Sequence, residues 1–266
     1  MENLDTVSPY RQAYLVSIRR RERFIRNMRY LILFTFLTLW ELSTRLGWID
    51  PFITSSPCRV MATILRLLRA HELFTHIGVT LFETIAGFLL GTLLGTMVAA
   101  LLWWSDTACR VLDPYLVVLN ALPKIALGPI LIVWIGAGIG SIIVMAVLIS
   151  LVVTIVTVLT GFRDTTDEKQ LLMKTLGATK LQIFGLVVLP ASVPTIVAAL
   201  KISVSMSWVG VIVGEYLVSK AGLGFLIVYG GQVFKLDLVM ASIVVLCTLA
   251  ALMYYGVAYI ERKLVK

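Results

Sequence analysis

Charged residues are scarce in this sequence. They make up 14% of its 266 residues, against about 25% in a typical soluble domain. Hydrophobic residues make up 59%, above the roughly 45–50% that is usual for soluble domains. So few charges cannot cover the surface of a soluble enzyme, and the composition instead predicts an all-α protein embedded in a lipid bilayer.

The sequence also lacks the common motifs of catalysis and metal binding. Its three cysteines, Cys58, Cys109 and Cys247, are far apart and form no CxxC pair. No GxxxxGKS/T motif occurs, so any nucleotide hydrolysis must belong to a partner. His71 and His76 are five residues apart, whereas HExxH places its histidines four apart on one helical face. We therefore expect no catalytic residue, metal site or cofactor in this chain.

Long apolar runs dominate the rest of the sequence. A helix needs about 20 residues to cross a bilayer, and helices are required because lipid offers the backbone no hydrogen-bond partners. We expect one transmembrane domain over residues 30–266, preceded by a basic segment, residues 1–29. The sequence predicts six spans, at about residues 30–48, 77–104, 114–135, 139–162, 186–213 and 236–260.

Lysine and arginine are distributed unevenly around these predicted spans. Seven arginines precede the first span, and a cytoplasmic N-terminus leaves 15 basic residues on the inner side and six on the outer side. Inner loops of membrane proteins carry such an excess. We therefore predict that both termini are cytoplasmic. The net charge of +8 then reflects orientation in the membrane and does not indicate a nucleic-acid partner.

The segment between the first two predicted spans has an amphipathic pattern. In residues 57–73, four apolar residues share one helical face, while arginines project elsewhere. The apolar face consists of Val60, Ile64, Leu67 and Leu68. We expect this helix to lie along the outer membrane surface.

A long polar interruption separates the fourth and fifth predicted spans, at residues 163–185. Asp164 or Thr166 can cap a short helix, Gly177 can end it, and a second short helix would run to Pro190. One side of the first helix carries Leu171, Leu172, Thr175 and Leu176. Two interpretations stay open: a rigid projection that a cytoplasmic partner grips, or a linker that contacts only lipid head groups.

The same segment resembles the EAA coupling loop of ABC importer permeases. The residues that match the end of that loop are Gly177, Val187, Leu189 and Pro190. The nitrate, sulfonate and taurine type of permease is similar over about residues 50–265. The further matching motifs are TL at 80–81, GFLLGTLLG at 87–95, LDP at 112–114, LPKIALGP at 122–129 and AGLG at 221–224.

The resemblance implies a type I ABC importer permease fold in the bacterial inner membrane, with about six transmembrane helices and cytoplasmic coupling helices. It implies a permease subunit that forms the pathway for a small solute, which an external solute-binding protein delivers. Two ATPase subunits would bind ATP with Mg²⁺, and a second copy of the permease would complete a homodimer. The coupling residues would be Leu172, Met173, Thr175, Leu176, Gly177 and Ala178.

Two positions depart from the family pattern. Residues 171–173 read Leu-Leu-Met where the family has EAA, so Leu172, Met173 and Leu176 would fill an apolar groove on the ATPase. Glu83 stands where the family commonly has an arginine. Relatives carry nitrate, sulfonates, taurine, bicarbonate or thiamine-precursor pyrimidines, and the glutamate favours a neutral or zwitterionic solute.

Polar residues inside the predicted spans are candidates for the solute pathway, because ionisable side chains are costly in lipid. Lys124 lies between Pro123 and Pro129, which should distort the helix. The alternative is that lysines here pair with acids or backbone carbonyls, and that serines bond to helix carbonyls. The candidate pathway residues are Glu83, Lys124, Lys201, Ser203 and Ser207.

Gly87, Gly91 and Gly95 recur at every fourth position. Small residues at this spacing let a second helix approach closely in lipid. We therefore predict that they pack helices together, the alternative being that they line the solute pathway.

The competing class of function is a membrane channel or scaffold without ATPase coupling. A channel would show a ring of polar pore residues or a filter sequence, and neither is evident here.

Overall fold

The computed structural model describes residues 9–165 and 167–264, with the side chains of residues 17–165 and 168–263. All regular structure in these ranges is helical, which confirms the all-α class. The chain divides into two units, Met1–Ala62 and Thr63–Lys266.

The first unit is built mainly from one long helix, α1 (Pro9–Arg45). The basic segment therefore continues into residues 30–45 as a single helix. Within the unit, Glu41 accepts hydrogen bonds from Arg45 Nε at 2.8 Å and from the backbone N–H of Cys58 at 3.1 Å. A short helix, α2 (Pro51–Thr54), begins where Asp50 accepts from the N–H of Phe52. A membrane span at residues 30–48 stays a prediction.

The second unit begins inside helix α3 (Pro57–Arg69), whose first residues belong to the first unit. A 3-10 turn at Lys124–Leu127 and a π-helical turn at Phe184–Val188 interrupt the α-helices. The other helices are α4 (Glu72–Trp104), α5 (Asp106–Ala121), α6 (Gly128–Ile135), α7 (Ile139–Arg163), α8 (Asp167–Thr175), α9 (Lys180–Ile183), α10 (Leu189–Val218), α11 (Leu223–Gln232) and α12 (Leu236–Leu264).

Four helices in the described residues are long and apolar enough to cross a membrane: Glu72–Trp104, Ile139–Arg163, Lys180–Val218 and Leu236–Lys263. They match four of the six predicted spans. The predicted span at 114–135 is bent by 84° between Asp106–Ala121 and Lys124–Ile135, and it is a fifth crossing only if both pieces count as one. The bend follows from Pro123, because a residue before proline avoids the helical region and Leu122 is extended.

Helix α7 packs against both α4 and α10, which also contact each other. A Cβ added at Gly87 of α4 would lie 2.5 Å from the Cβ of Ala146, and one at Gly95 would lie 2.8 Å from that of Thr154. Between them, Gly91 faces the hydroxyl of Ser150. The three glycines therefore provide the close helix approach that their spacing predicts.

Helix α7 also packs against two glycines of α10 that no pattern in the sequence singled out. A Cβ at Gly210 would lie 2.5 Å from Cα of Ala146, and one at Gly214 would lie 3.0 Å from Ile142. Ala146 is thus in close contact with glycines of both α4 and α10, without room for a larger side chain at either glycine.

Helix α3 ends at Arg69, before the predicted residue 73, because His71 adopts a left-handed conformation (φ 57°) from which α4 starts. Its apolar face is partly covered by protein. Leu67 packs in a cluster with Leu73, Leu223 and Leu238. This face is therefore shared with α11 and α12, and is not left to the membrane surface alone.

Candidate functional site

The polar loop turns sharply at Gly177, which has φ +80°. The N–H of Gly177 donates to the carbonyl of Lys174, and the N–H of Ala178 donates to that of Met173, both at 3.0 Å. This pair of bonds is the Schellman motif, which ends a helix at a residue in the left-handed region and favours glycine there. The predicted helix end at Gly177 is confirmed. Thr166, one of the two predicted caps, lies outside the described residues.

The chain after the turn enters the membrane-spanning helix directly. Thr179 caps α9 in a capping box, in which its N–H donates to Gln182 Oε1 at 2.8 Å. Helix continues from Lys180 to Val218 through the π-helical turn. The predicted second helix is present as α9, but it does not end near Pro190 and continues into α10. The wider turn suits Pro190, whose ring would clash with the carbonyl four residues earlier in an α-helix.

Aromatic side chains pack the π-helical turn, Phe184–Val188, against the ends of α4 and α7. The ring centroid of Phe184 is 4.9 Å from that of Trp103 and 5.3 Å from that of Phe162. Lys180 Nζ donates to the carbonyl of Trp104 at 2.5 Å and lies 5.6 Å from the Trp103 ring. Ile183 is buried in the same cluster. Residues 171–184, which we call the corner, are therefore fixed both to the helix bundle and to α10.

The six predicted coupling residues divide into two groups. Leu172, Thr175, Leu176 and Gly177 are exposed, with Leu172 60% and Leu176 73% accessible. Met173 and Ala178 instead pack on the core cluster beneath the corner. The prediction that Met173 joins an apolar dock is not supported by its inward position. Leu171 and Leu181, at 62% and 67%, extend the exposed surface instead.

A cavity of about 380 Å³ lies in the first unit and another of about 330 Å³ lies beside the corner. The second is half polar in character, because two lysines and a glutamine share it with apolar side chains. Its lining residues are Trp103, Gln170, Lys174, Ala178, Lys180 and Ile183.

The two lysines predicted for the solute pathway both have partners. Lys124 is half-buried, and its Nζ donates to the carbonyl of Asn120 at 3.1 Å. Lys201 of α10 forms an ion pair with Glu261 of α12. Lys124 thus bonds a backbone carbonyl and Lys201 pairs with an acid, which are the contacts expected if the two lysines have a structural role and do not line the pathway.

The two predicted pathway serines lie between helices and are fully buried. Ser203 shares a hydrogen bond of 3.0 Å with Thr92 of α4. The hydroxyl of Ser207 has no hydrogen-bond partner among the described residues. Within a single copy of the chain, neither serine reaches a surface where it would contact a solute.

Glu83 is also fully buried, facing Glu215 across the α4–α10 contact. It reaches no surface of this chain, so its place in a solute pathway finds no support in the geometry. Glu215 accepts a hydrogen bond of 2.6 Å from Thr80 Oγ1. The start of α11 closes over it, since a Cβ at Gly224 would lie 2.8 Å from Glu215 Oε2.

Comparison with known proteins agrees with this arrangement. Residues 91–266 match a family described as the inner membrane component of binding-protein-dependent transport systems. A probable ABC transporter permease of Haemophilus influenzae is 33% identical over 88% of this chain and 95% of its own length. The formylaminopyrimidine transport permease ThiX of Halalkalibacterium halodurans is 31% identical over 71% of this chain and 75% of its own.

Two further comparisons extend the picture. A putative aliphatic sulfonates permease, SsuC of Bacillus subtilis, is 28% identical over 86% of this chain and 83% of its own length. The MetNI methionine ABC transporter, solved in inward-facing conformations, gives a TM-score of 0.65 at 20% identity, covering 73% of this chain and 96% of that one. The second likeness shows the type I fold.

Proposed function

The chain belongs to the family of inner membrane components of binding-protein-dependent transport systems, and we propose that a separate ATPase drives it through the corner at Gly177. It is a multi-pass membrane protein and the permease of an ABC importer. The proposal concerns how the force of ATP hydrolysis enters this permease.

The observation that carries the proposal is an exposed apolar surface on a rigid corner. Leu171, Leu172 and Leu176 are each at least 60% accessible, and exposed polar residues of the same loop flank them. Exposed apolar patches with polar rims are typical of protein–protein contacts. Because a Schellman motif, a capping box and the contacts of Phe184 fix the corner, a push on these leucines moves α10 with it.

The partners follow from this role. We infer two ATPase subunits that hold ATP with Mg²⁺, a second identical permease, and an external binding protein that delivers the solute. The family description, which names binding-protein-dependent transport at the inner membrane, supports this assembly. The excess of basic residues in the proposed inner segments supports cytoplasmic termini.

The substrate class rests on the relatives. We propose a small organic solute of the sulfonate, taurine or thiamine-precursor kind, because similar permeases are named for aliphatic sulfonates, taurine and formylaminopyrimidine. Glu83 no longer argues for a neutral or zwitterionic solute, since its side chain is fully buried.

The test removes the exposed leucines and measures ATPase binding. In the double variant Leu172→Ala/Leu176→Ala, we expect co-purification of the ATPase in detergent to fall about tenfold or more, because both side chains leave the contact. The matched control is Leu93→Ala, which removes a leucine of similar exposure (67%) from α4. A channel or scaffold would bring down no P-loop ATPase even as wild type, and equal binding by both variants would refute the docking surface.

A further inference from the structure

Two glutamates are buried together inside the second unit. Glu83 of α4 is 0% exposed and Glu215 of α10 is 1% exposed. Glu83 lies one helical turn after Thr80, whose Oγ1 bonds Glu215, so the two buried carboxyl groups face the same space between α4 and α10. No ion pair joins either glutamate to a lysine or arginine among the described residues.

Every described contact of Glu215 suits an ionised carboxylate. Thr80 Oγ1 donates to its Oε1 at 2.6 Å, and the N–H groups of Gly224 and Phe225 donate to its Oε2 at 2.5 and 3.3 Å. Thr80 is itself oriented, because its Oγ1 accepts from the N–H of Leu223 at 2.8 Å. Since α11 begins at Leu223, these are first-turn N–H groups, which favour a negative charge.

Glu83 has the opposite surroundings. Neither of its oxygens accepts a hydrogen bond from any described residue, and both are shielded from solvent. On its own helix, Thr84 donates to the carbonyl of Thr80, and Nδ1 of His76 accepts from the N–H of Gly222. An ionised Glu83 would therefore be a second negative charge against Glu215, without a donor and inside a membrane domain.

We propose that Glu83 and Glu215 form a proton-binding site, in which Glu83 keeps its proton and donates a hydrogen bond through it to the ionised carboxylate of Glu215. Two carboxyl groups in contact hold a proton between them because both cannot ionise without compensation. A protonated carboxyl is a donor, which gives Glu83 the partner it otherwise lacks. The bound proton joins α4 to the junction of α10 and α11.

This site is independent of the ATPase contact, so its test uses the permease alone. Infrared spectroscopy of the full chain in detergent, near neutral pH, detects the carbonyl band of a protonated carboxylic acid. We expect that band in the wild type and its loss in Glu83→Gln. In the control Glu261→Gln the band stays, because Glu261 is ion-paired with Lys201. No acid band in the wild type, or a band that survives in Glu83→Gln, would overturn the assignment.

Thermal unfolding tests which of the two groups holds the proton. The amide introduced by Glu83→Gln can still donate to Glu215, so this variant should melt close to the wild type. In Glu215→Gln, an NH2 group replaces one of the two accepting oxygens and faces N–H or O–H donors that it cannot accept from. We expect the midpoint of this variant to drop by roughly 5 °C. Equal midpoints, or the reverse order, would contradict the proposed assignment. A rise of the wild-type midpoint with added sodium chloride, absent with choline chloride, would show a bound cation in place of the proton.

Discussion

The corner at Gly177 and the contact between α4 and α7 both depend on glycine, for different reasons. At the corner a Cβ would meet nothing within 4 Å, and the requirement is the positive φ of +80°. At the helix contact the backbone is ordinary helix, and the requirement is space, because a Cβ at Gly87 would lie 2.5 Å from that of Ala146. One glycine therefore shapes a surface, whereas the others hold the bundle together.

The two regions also treat apolar side chains differently. At the contact between α4 and α7, the residues opposite the three glycines are the small Ala146, Ser150 and Thr154. At the corner, Leu172 and Leu176 are exposed, while Met173 beneath them is packed. This difference separates residues that maintain the fold from residues available to a partner, and substitutions should therefore affect stability in one region and transport in the other.

The largest effect should follow from filling the helix contact. Gly91→Leu places a side chain where Ser150 already stands, and overpacking of this kind costs at least about 1–3 kcal/mol. We expect little monodisperse protein on size-exclusion chromatography. Gly78→Leu is the control on the same helix, because a Cβ at Gly78 meets nothing within 4 Å. Normal yield of the Gly91 variant would show that α4 and α7 are not packed as described.

An intermediate effect should follow from straining the corner. Gly177→Val puts a β-branched residue at positive φ, which is strongly unfavourable. We expect solute uptake to fall about tenfold, with the thermal midpoint of the permease lowered by only a few degrees, because the strain is confined to the turn and no neighbour is displaced. Gly185→Val serves as control, since Gly185 lies in open space without a positive φ. Uptake that falls equally in both variants would remove the special role of the Gly177 turn.

The smallest effect should come from the ion pair between α10 and α12. Lys201 and Glu261 are each about one quarter exposed, so solvent screening limits the contribution of the pair to roughly 1 kcal/mol or less. We expect Lys201→Met to lower the thermal midpoint slightly and to leave uptake per assembled complex unchanged. Loss of uptake in an assembled variant would place Lys201 in the solute pathway after all.

Periodic patterns in the sequence predicted the features that depend on local spacing. The four long spans, the distortion near Pro123, the helix end at Gly177 and the packing of Gly87, Gly91 and Gly95 all follow from such patterns. Each depends on residues that are close together in the chain, where helix geometry alone decides which side chains share a face.

Features that depend on distant parts of the chain could not be predicted. Thr80 and Glu215 are 135 positions apart, and nothing local indicates that they bond or that Glu83 faces the same carboxylate. Gly210 lies against Ala146 only through the register of α10 on α7. The inward position of Met173 likewise depends on which face of α8 meets the core cluster.

The most direct test of the coupling corner is cross-linking to the ATPase from single cysteines placed in α8 and the turn that follows it. With Cys58, Cys109 and Cys247 replaced by serine, Leu176→Cys should cross-link to the ATPase in the assembled transporter. Met173→Cys should not, because that side chain points into the bundle. Cross-linking from residue 173 and not from residue 176, or labelling of residue 176 by an impermeant reagent outside intact cells, would contradict the account.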